Sequence, residues 1–458
     1  MLNDFPLADI QPLRGWRYNP ALSARIDEVA SPLFDVVSAR QREVLYREPL
    51  NSIHLSVPRP EGELPPAQAA ARRLAEWQAA GVLRQDELPG IYAYYQYFRL
   101  PGETRERCRK GFICHLRAYA WEEGVVLRHE NTLPAAVNDR AELLAALQLQ
   151  TSATHGLYSD PGFTLEALLD EAIADPLCQT EEDYQGARDV LGVIQDVATI
   201  RRFQVALAAQ TIILADGHHR YEASVAYRQA RALAAGARGG SGHEPWHYHL
   251  MYLTNAASDD LRILPTHRLL RALPAGWTDA ELLTRLAEYF VVKPQAEAQD
   301  LPEVLAGRPG AFGLYLPGGQ AYQLRLRPGL AEQVSWPMPA VVRALDLTLL
   351  HYYAFEKTLG VPGPRQRSWP GVAYVRGLAE ALRQVDQGEA RVAFITNEVT
   401  MAQVQAVCYS GAVMPPKSTF FYPKVLGGLL FSSVAEDAPS VFDAIFWETP
   451  EEAPASGN

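Results

Sequence analysis

Hydrophobic positions along this chain switch repeatedly between an alternating and a helical period, and the switches predict its elements. In the N-terminal part, turn signals at Gly15–Pro20 separate short apolar runs, and Ser52–Val57 alternates as a strand would. Pro58–Pro66 reads as a linker, and Ala67–Ala80 is a helix closed by Gly81. Ile91–Leu100 is aromatic and alternating; with Gly111–Ala120 across the turn Pro101-Gly102-Glu103 it predicts antiparallel strands. Leu165–Ala174 and Ile200–Ala208 carry helical spacing, while Val125–Leu127 and His247–Leu253 read as strands. Thr211–Leu214 is a β-branched buried strand, Tyr221–Ala235 a helix rich in Ala and Arg, and Gly236–His243 a flexible loop. From about Asp279 a new stretch begins, with a helix at Glu281–Tyr289 and strands at Phe290–Val292, Phe312–Leu316 and Tyr322–Leu326. A polar tail starts at Thr449. The expected class is α/β in the mixed α+β sense. Three regions are expected: 1–120, mixed α/β; 121–275, a core around the strand and helix at Thr211–Ala235; and 276–458, α+β.

Composition narrows the function classes. The 458 residues include 48% hydrophobic and 21% charged side chains, ordinary for a globular protein of two or three domains. No apolar run reaches membrane-span length, and Met1-Leu2-Asn3-Asp4-Phe5-Pro6 lacks the features of a signal peptide, so a cytoplasmic location is expected. Cys108, Cys114, Cys178 and Cys408 have no paired-ligand spacing, which argues against structural zinc or a disulfide framework. Lys plus Arg number 42 against 53 Asp plus Glu, a net charge of −11. That balance disfavours nucleic acid and anionic membranes, so an anionic ligand needs a local cluster of positive groups.

Such a cluster stands at Asp216-Gly217-His218-His219-Arg220, in the turn between the buried strand and the Ala-rich helix. Backbone N–H groups at a helix N-terminus lack intrahelical partners and favour negative charge, and glycine admits a close ligand. Asp-Gly alone would be an N-cap and a turn. Two imidazoles and a guanidinium added behind a buried strand point to phosphate. His129-Glu130, at the end of Val125–Leu127, is a candidate general-base or metal-coordinating pair. Met414-Pro415-Pro416-Lys417-Ser418-Thr419 is a proline-fixed loop carrying a lysine and two hydroxyls, suited to holding an anion. His243, His247 and His249, the last two on one strand face, offer a metal site, and with His129-Glu130 a metal-dependent hydrolase is one rival reading.

These segments, taken in order, resemble the bacterial and archaeal family called domain of unknown function 1015. The resemblance includes Ser31-Pro32 with Asp35, His129-Glu130 with Thr132, Asp139-Arg140, the Asp216–Arg220 motif, Ile263–Arg268, Leu345-Asp346 with His351, and Val413–Thr419. Leu33-Phe34 and Tyr409-Ser410 depart from the usual pattern, and neither carries assigned chemistry. The Asp-Gly-His-His-Arg turn is also similar to that of the ParB/sulfiredoxin-like nucleotide-binding fold, whose free-serine kinases phosphorylate L-serine from ATP or ADP. The resemblance implies a small-molecule kinase or phosphotransferase acting on a hydroxyl metabolite, with Mg2+ as cofactor. On this reading Gly217, His218, His219, Arg220, Lys417, Ser418 and Thr419 hold the nucleotide phosphates. Glu130 is the base, Asp216 and His218 are further catalytic candidates, Asp216 is a candidate for Mg2+, and His129 and Asp35 position substrate. A ParB-like nucleotide-responsive binding module without catalysis is the other rival.

Overall fold

The computed structural model describes residues 8–100, 102–182, 184–236 and 242–435. The chain is a mixed α/β protein of two compact units. The first gathers the chain up to Leu127, Thr132–Leu261 and the segment from Pro423; the second holds Arg128–Asn131 and Arg262–Tyr422.

The first unit is built on a mixed sheet. Its spatial order is Val126–Arg128, Ile212–Asp216, Thr154–Tyr158, Tyr248–Asn255, Arg107–Arg117, Tyr92–Phe98, Ala187–Leu191 and Cys178–Glu182. Tyr248–Asn255 runs parallel to Thr154–Tyr158 and antiparallel to Arg107–Arg117. Both faces of the sheet are covered, which explains why the central strands are apolar at nearly every position. Tyr95, Phe112, Met251 and Leu253 pack under Ile200 and Phe203 of helix Val197–Ala208 and Tyr221 of helix His218–Ala235. Tyr92, Tyr94, Ile113 and Tyr252 face the other way, under Leu74 and Trp77 of helix Pro66–Ala79 and Leu143 of helix Pro134–Leu147.

The second unit holds an antiparallel sheet in the order Phe290–Gln295, Gln320–Leu326, Ala311–Leu316, Val392–Ile395, His267–Leu270, Val372–Val375. Phe290–Gln295 tolerates Pro294 because it is an edge strand, where a missing N–H breaks no ladder. One face packs on Leu349, Leu350 and Tyr353, the other on Ala381, Leu382 and Val385 of helix Leu378–Asp386.

Two local expectations are corrected. Ser52–Val57 is not a strand: Ile53–Ser56 forms a helical turn. The buried Asn51 enforces it, since its amide donates to the carbonyls of Glu28 and Ala30 while its oxygen accepts from Ile53 N. Ile53, Leu55 and Ser56 are all buried, so the alternation never marked a single buried face. His247 lies in the 3-10 turn Pro245–His247, ahead of the strand that begins at Tyr248. Most of the predicted loop Gly236–His243, at 237–241, and the tail from Thr449 fall outside the described residues.

Candidate functional site

Strand Ile212–Asp216 ends in Gly217 at φ +90°, and the motif helix starts at His218, so the histidines and Arg220 occupy its first turn. Glycine is required by sterics within the protein. A Cβ at Gly217 would stand 2.5 Å from Thr154 Cγ2 and 2.8 Å from Arg220 Nη2. The space that the sequence reading reserved for a ligand is therefore filled by the protein's own side chains.

Asp216 is no helix cap; its carboxylate is buried between two cations. Oδ1 accepts from Lys424 Nζ at 2.5 Å, and Oδ2 lies 3.7 Å from Arg220 Nη2. Burial pushes the carboxyl upward, but the charges of Lys424 and Arg220 outweigh it and hold Asp216 well below the usual carboxylate range. A carboxylate so neutralised does not fit a Mg2+ ligand, which would have to displace Lys424, and no reaction step is routed through the ion.

Arg220 keeps 10% of its side chain exposed. Its Nη1 donates to Ser152 Oγ and Ala153 O, both at 2.8 Å, while Nε and Nη2 are buried with no hydrogen-bond partner among the described residues. It lines a cavity of about 50 Å3 together with Arg140, Ser31, Ser152, Ser224 and His249. Arg140 donates to Ser56 O at 2.6 Å, pairs with Asp139, and stacks 4.5 Å from the Phe34 ring centroid. Burial pushes the Arg220 guanidinium down from its ordinary value; the Asp35 and Asp216 carboxylates oppose this, and Arg140 repels it. Asp35, on the exposed surface, thus acts on Arg220 electrostatically. The cavity is small, with two guanidinium groups and several hydroxyls on one part of its wall and Leu33, Leu143, Leu144, Leu147 and Leu149 on the rest; its polar part suits a single oxyanion group.

The other motif residues are engaged as follows. His218 is buried, and His219 Nε2 accepts from Leu133 N at 3.0 Å, which places its ring proton on Nδ1. His249 bonds Thr154 Oγ1 at 2.8 Å and Ser224 Oγ at 2.7 Å, and burial beside the Arg220 charge pushes it down to about 3. His247 contacts Glu244 at 3.2 Å and His243 contacts Tyr248 Oη at 3.3 Å. The alternative of a metal site at these histidines finds no support, since among the described residues no three His, Cys, Asp or Glu side chains gather to hold an ion.

His129, Glu130, Lys417, Ser418 and Thr419 all belong to the second unit. His129 Nε2 bonds Thr419 Oγ1 at 2.8 Å, and its carbonyl accepts from Met414 N at 2.8 Å. Ser418 Oγ donates to Pro415 O at 2.6 Å. Both hydroxyls thus hold the loop's own shape. Lys417 is exposed at φ +54°, a backbone conformation that costs a non-glycine residue energy and needs support. The support is Arg268, which is fully buried and whose Nη2 donates to the carbonyls of Pro416 at 3.3 Å and Lys417 at 3.2 Å. Glu130, half-buried, lines a cavity of about 360 Å3 with Trp336, Met338, His351, Arg367 and Met414–Pro416.

Arg140, Arg268 and Lys424 were not singled out for chemistry by sequence reasoning. Arg140 and Arg268 stand in motifs that carry the family resemblance, which was the available signal. Lys424 lies 208 positions from Asp216, and no spacing rule connects them.

The chain is thus a mixed α/β protein whose strand-to-helix turn places a buried arginine at a small cavity. The family model described as "Protein of unknown function (DUF1015)" matches residues 10–348, and the chain belongs to that family. No curated protein matches it. Similar solved structures include a free serine kinase in complex with AMP, at 13% identity and a TM-score of 0.31, covering 65% of this chain and 83% of that one. SbnI with C-terminal truncation from Staphylococcus aureus is 8% identical with a TM-score of 0.31, covering 69% of this chain and 85% of its own. A conserved hypothetical protein from Pyrococcus furiosus is 14% identical with a TM-score of 0.30, covering 66% and 89%. Likeness at these scores carries no argument about activity, which has to be read from the site.

Proposed function

We propose that the protein is a nucleotide-dependent phosphotransferase acting on the hydroxyl of a small molecule, with ATP or ADP as donor. The observation that carries this reading is Arg220, nine-tenths buried, with Nε and Nη2 left without hydrogen-bond partners among the described residues, at a cavity shared with Arg140. A guanidinium whose carboxylate partner, Asp216, is shared with Lys424, and whose Nε and Nη2 make no hydrogen bond among the described residues, is stabilised by an oxyanion that takes up those donors. The cavity of about 50 Å3 suits one terminal phosphoryl group, not a whole nucleotide.

Phosphoryl transfer asks the protein mainly for positioning and positive charge. In the proposed step the bond between the terminal phosphorus and its bridging oxygen breaks, and the nucleotide leaves one phosphate shorter. A new bond forms from that phosphorus to the acceptor hydroxyl oxygen. The hydroxyl proton leaves to solvent as that bond forms, and Arg140 adds positive charge beside Arg220. Any divalent ion enters with the nucleotide phosphates as part of the substrate.

Calorimetric titration of the full chain with ATP and with ADP, each with Mg2+, tests this. Arg220→Ala should weaken binding by about 1.5–3 kcal/mol, the worth of a charge-assisted contact. Arg220→Lys, which keeps the charge but loses the fork, should fall between the two. If the wild-type protein binds neither nucleotide, the proposal fails.

A further inference from the structure

The cavity beside Glu130 has a chemistry of its own. At about 360 Å3 it falls in the range of small-molecule sites, and every residue lining it belongs to the second unit. Its walls are mainly apolar: Trp336, Met338, Val342, Val413, Met414 and four prolines.

The polar groups on those walls are already committed to the protein. His351 Nδ1 bonds Gln366 Oε1 at 2.8 Å, and its Nε2 accepts from Arg268 Nε at 3.3 Å. Burial, reinforced by the Arg268 charge, pushes His351 down to about 3, so the ring presents a neutral surface. The Gln366 amide donates to His351 O and Val361 O, at 3.0 and 2.8 Å. Trp336 Nε1 donates to Glu356 at 2.9 Å, which fixes the indole. Glu130 differs, because its half-buried carboxylate receives no hydrogen bond or ion pair from the described residues.

The wall is also set in advance. Met414 N is tied to the His129 carbonyl, the prolines fix the backbone, and the buried Arg268 clamps the next two carbonyls. A preformed wall spares a ligand the entropy of ordering it.

We infer that this cavity binds a small alcohol with a flat, apolar, aromatic-sized body whose hydroxyl reaches Glu130. A three-carbon zwitterion such as L-serine would leave most of the volume unfilled.

The test uses indole-3-ethanol as probe and L-serine as comparator, titrated into the full chain by calorimetry without nucleotide. The probe should bind at least about tenfold more tightly than L-serine. Met338→Trp, which fills the cavity, should weaken probe binding by about tenfold or more while leaving the unfolding midpoint unchanged. Should that variant fail to fold, Met338→Ala should weaken the probe for loss of its wall. Equal or tighter binding of L-serine, no binding of the probe, or indifference to both substitutions overturns the inference. ADP binding without probe binding would remove this inference and leave the phosphotransferase reading standing. Probe binding that responds to Met338, without any nucleotide binding, would do the reverse.

Discussion

Asp216 and Lys424 sustain each other's charge in a place where neither could stay ionised alone, their side chains only 13% and 8% exposed. Replacing Asp216 by Asn leaves Lys424 and Arg220 facing one another without the carboxylate. Removing one member of such a buried set costs about 3–5 kcal/mol, so Asp216→Asn should lower the urea-unfolding free energy by that amount. Adding Lys424→Met should restore part of the loss; a single variant as stable as wild type would show that the pair does not hold the turn. The pH dependence follows from the depressed folded-state pKa of Asp216. Its stabilising ionisation is fully present above the unfolded value near ~3.9 and is lost as the pH falls below it. Asp216→Asn should therefore flatten the most acidic part of the stability profile. The local sequence displayed Asp216, but its partner came from the far end of the chain, and an ion pair is chosen by burial rather than by spacing.

At the scale of elements, the strand-turn-helix unit was legible because its signals are local: a β-branched run, a glycine, and an Ala-rich helical period. The helix starts three residues earlier than the periodicity suggested, which moves the motif from a loop into the first helical turn. The role of Gly217 was only half visible. Its positive φ is a turn property, whereas the 2.5 Å approach of Thr154 Cγ2 comes from the neighbouring strand. Gly217→Ala should cost about 1–3 kcal/mol or more, measured by chemical denaturation. Thr154→Ser, which removes the offending methyl and keeps the hydroxyl that bonds His249, should recover part of that loss. If the second change gives no recovery, the clash is not the cause. In the second unit, Arg268→Lys should speed hydrogen exchange at Met414–Thr419 by about a factor of ten or more, since a lysine cannot bridge the same carbonyls. Unchanged exchange there would mean that the prolines alone set the loop.

For the whole molecule, buried neutral histidines in both units couple stability to pH. Burial pushes His115 and His249 in the first unit down to about 3; in the second, burial with the Arg268 charge brings His351 to about 3 and His267 to about 4. Each is neutral when folded and takes up a proton near ~6.5 when unfolded, so the unfolded chain binds more protons between those values. Stability should thus be full above about pH 6.5 and fall progressively toward pH 4, by up to about 1.4 kcal/mol per pH unit for each such histidine. Denaturant midpoints that stay level from pH 7 to pH 5 would contradict this. The mixed α/β class and elements such as Pro66–Ala79, Tyr92–Phe98 and Val197–Ala208 could be read from the sequence alone, because period and turn chemistry act over a few residues, whereas helix Pro134–Leu147 and strands Thr154–Tyr158, Ala187–Leu191 and Val392–Ile395 were not read. The misreading at Ser52–Val57 arose where one buried amide, Asn51, overrode an alternating pattern. The motif carrying Arg220 was also legible, as a positive cluster on an acidic chain. Only the tertiary structure decided which groups surround it: Lys424 on Asp216, Arg140 at the cavity, Arg268 behind the Lys417 loop. The physical reason is that the strength of a buried charge, and the choice of what answers it, depend on desolvation and distance in three dimensions, neither of which is written in local spacing.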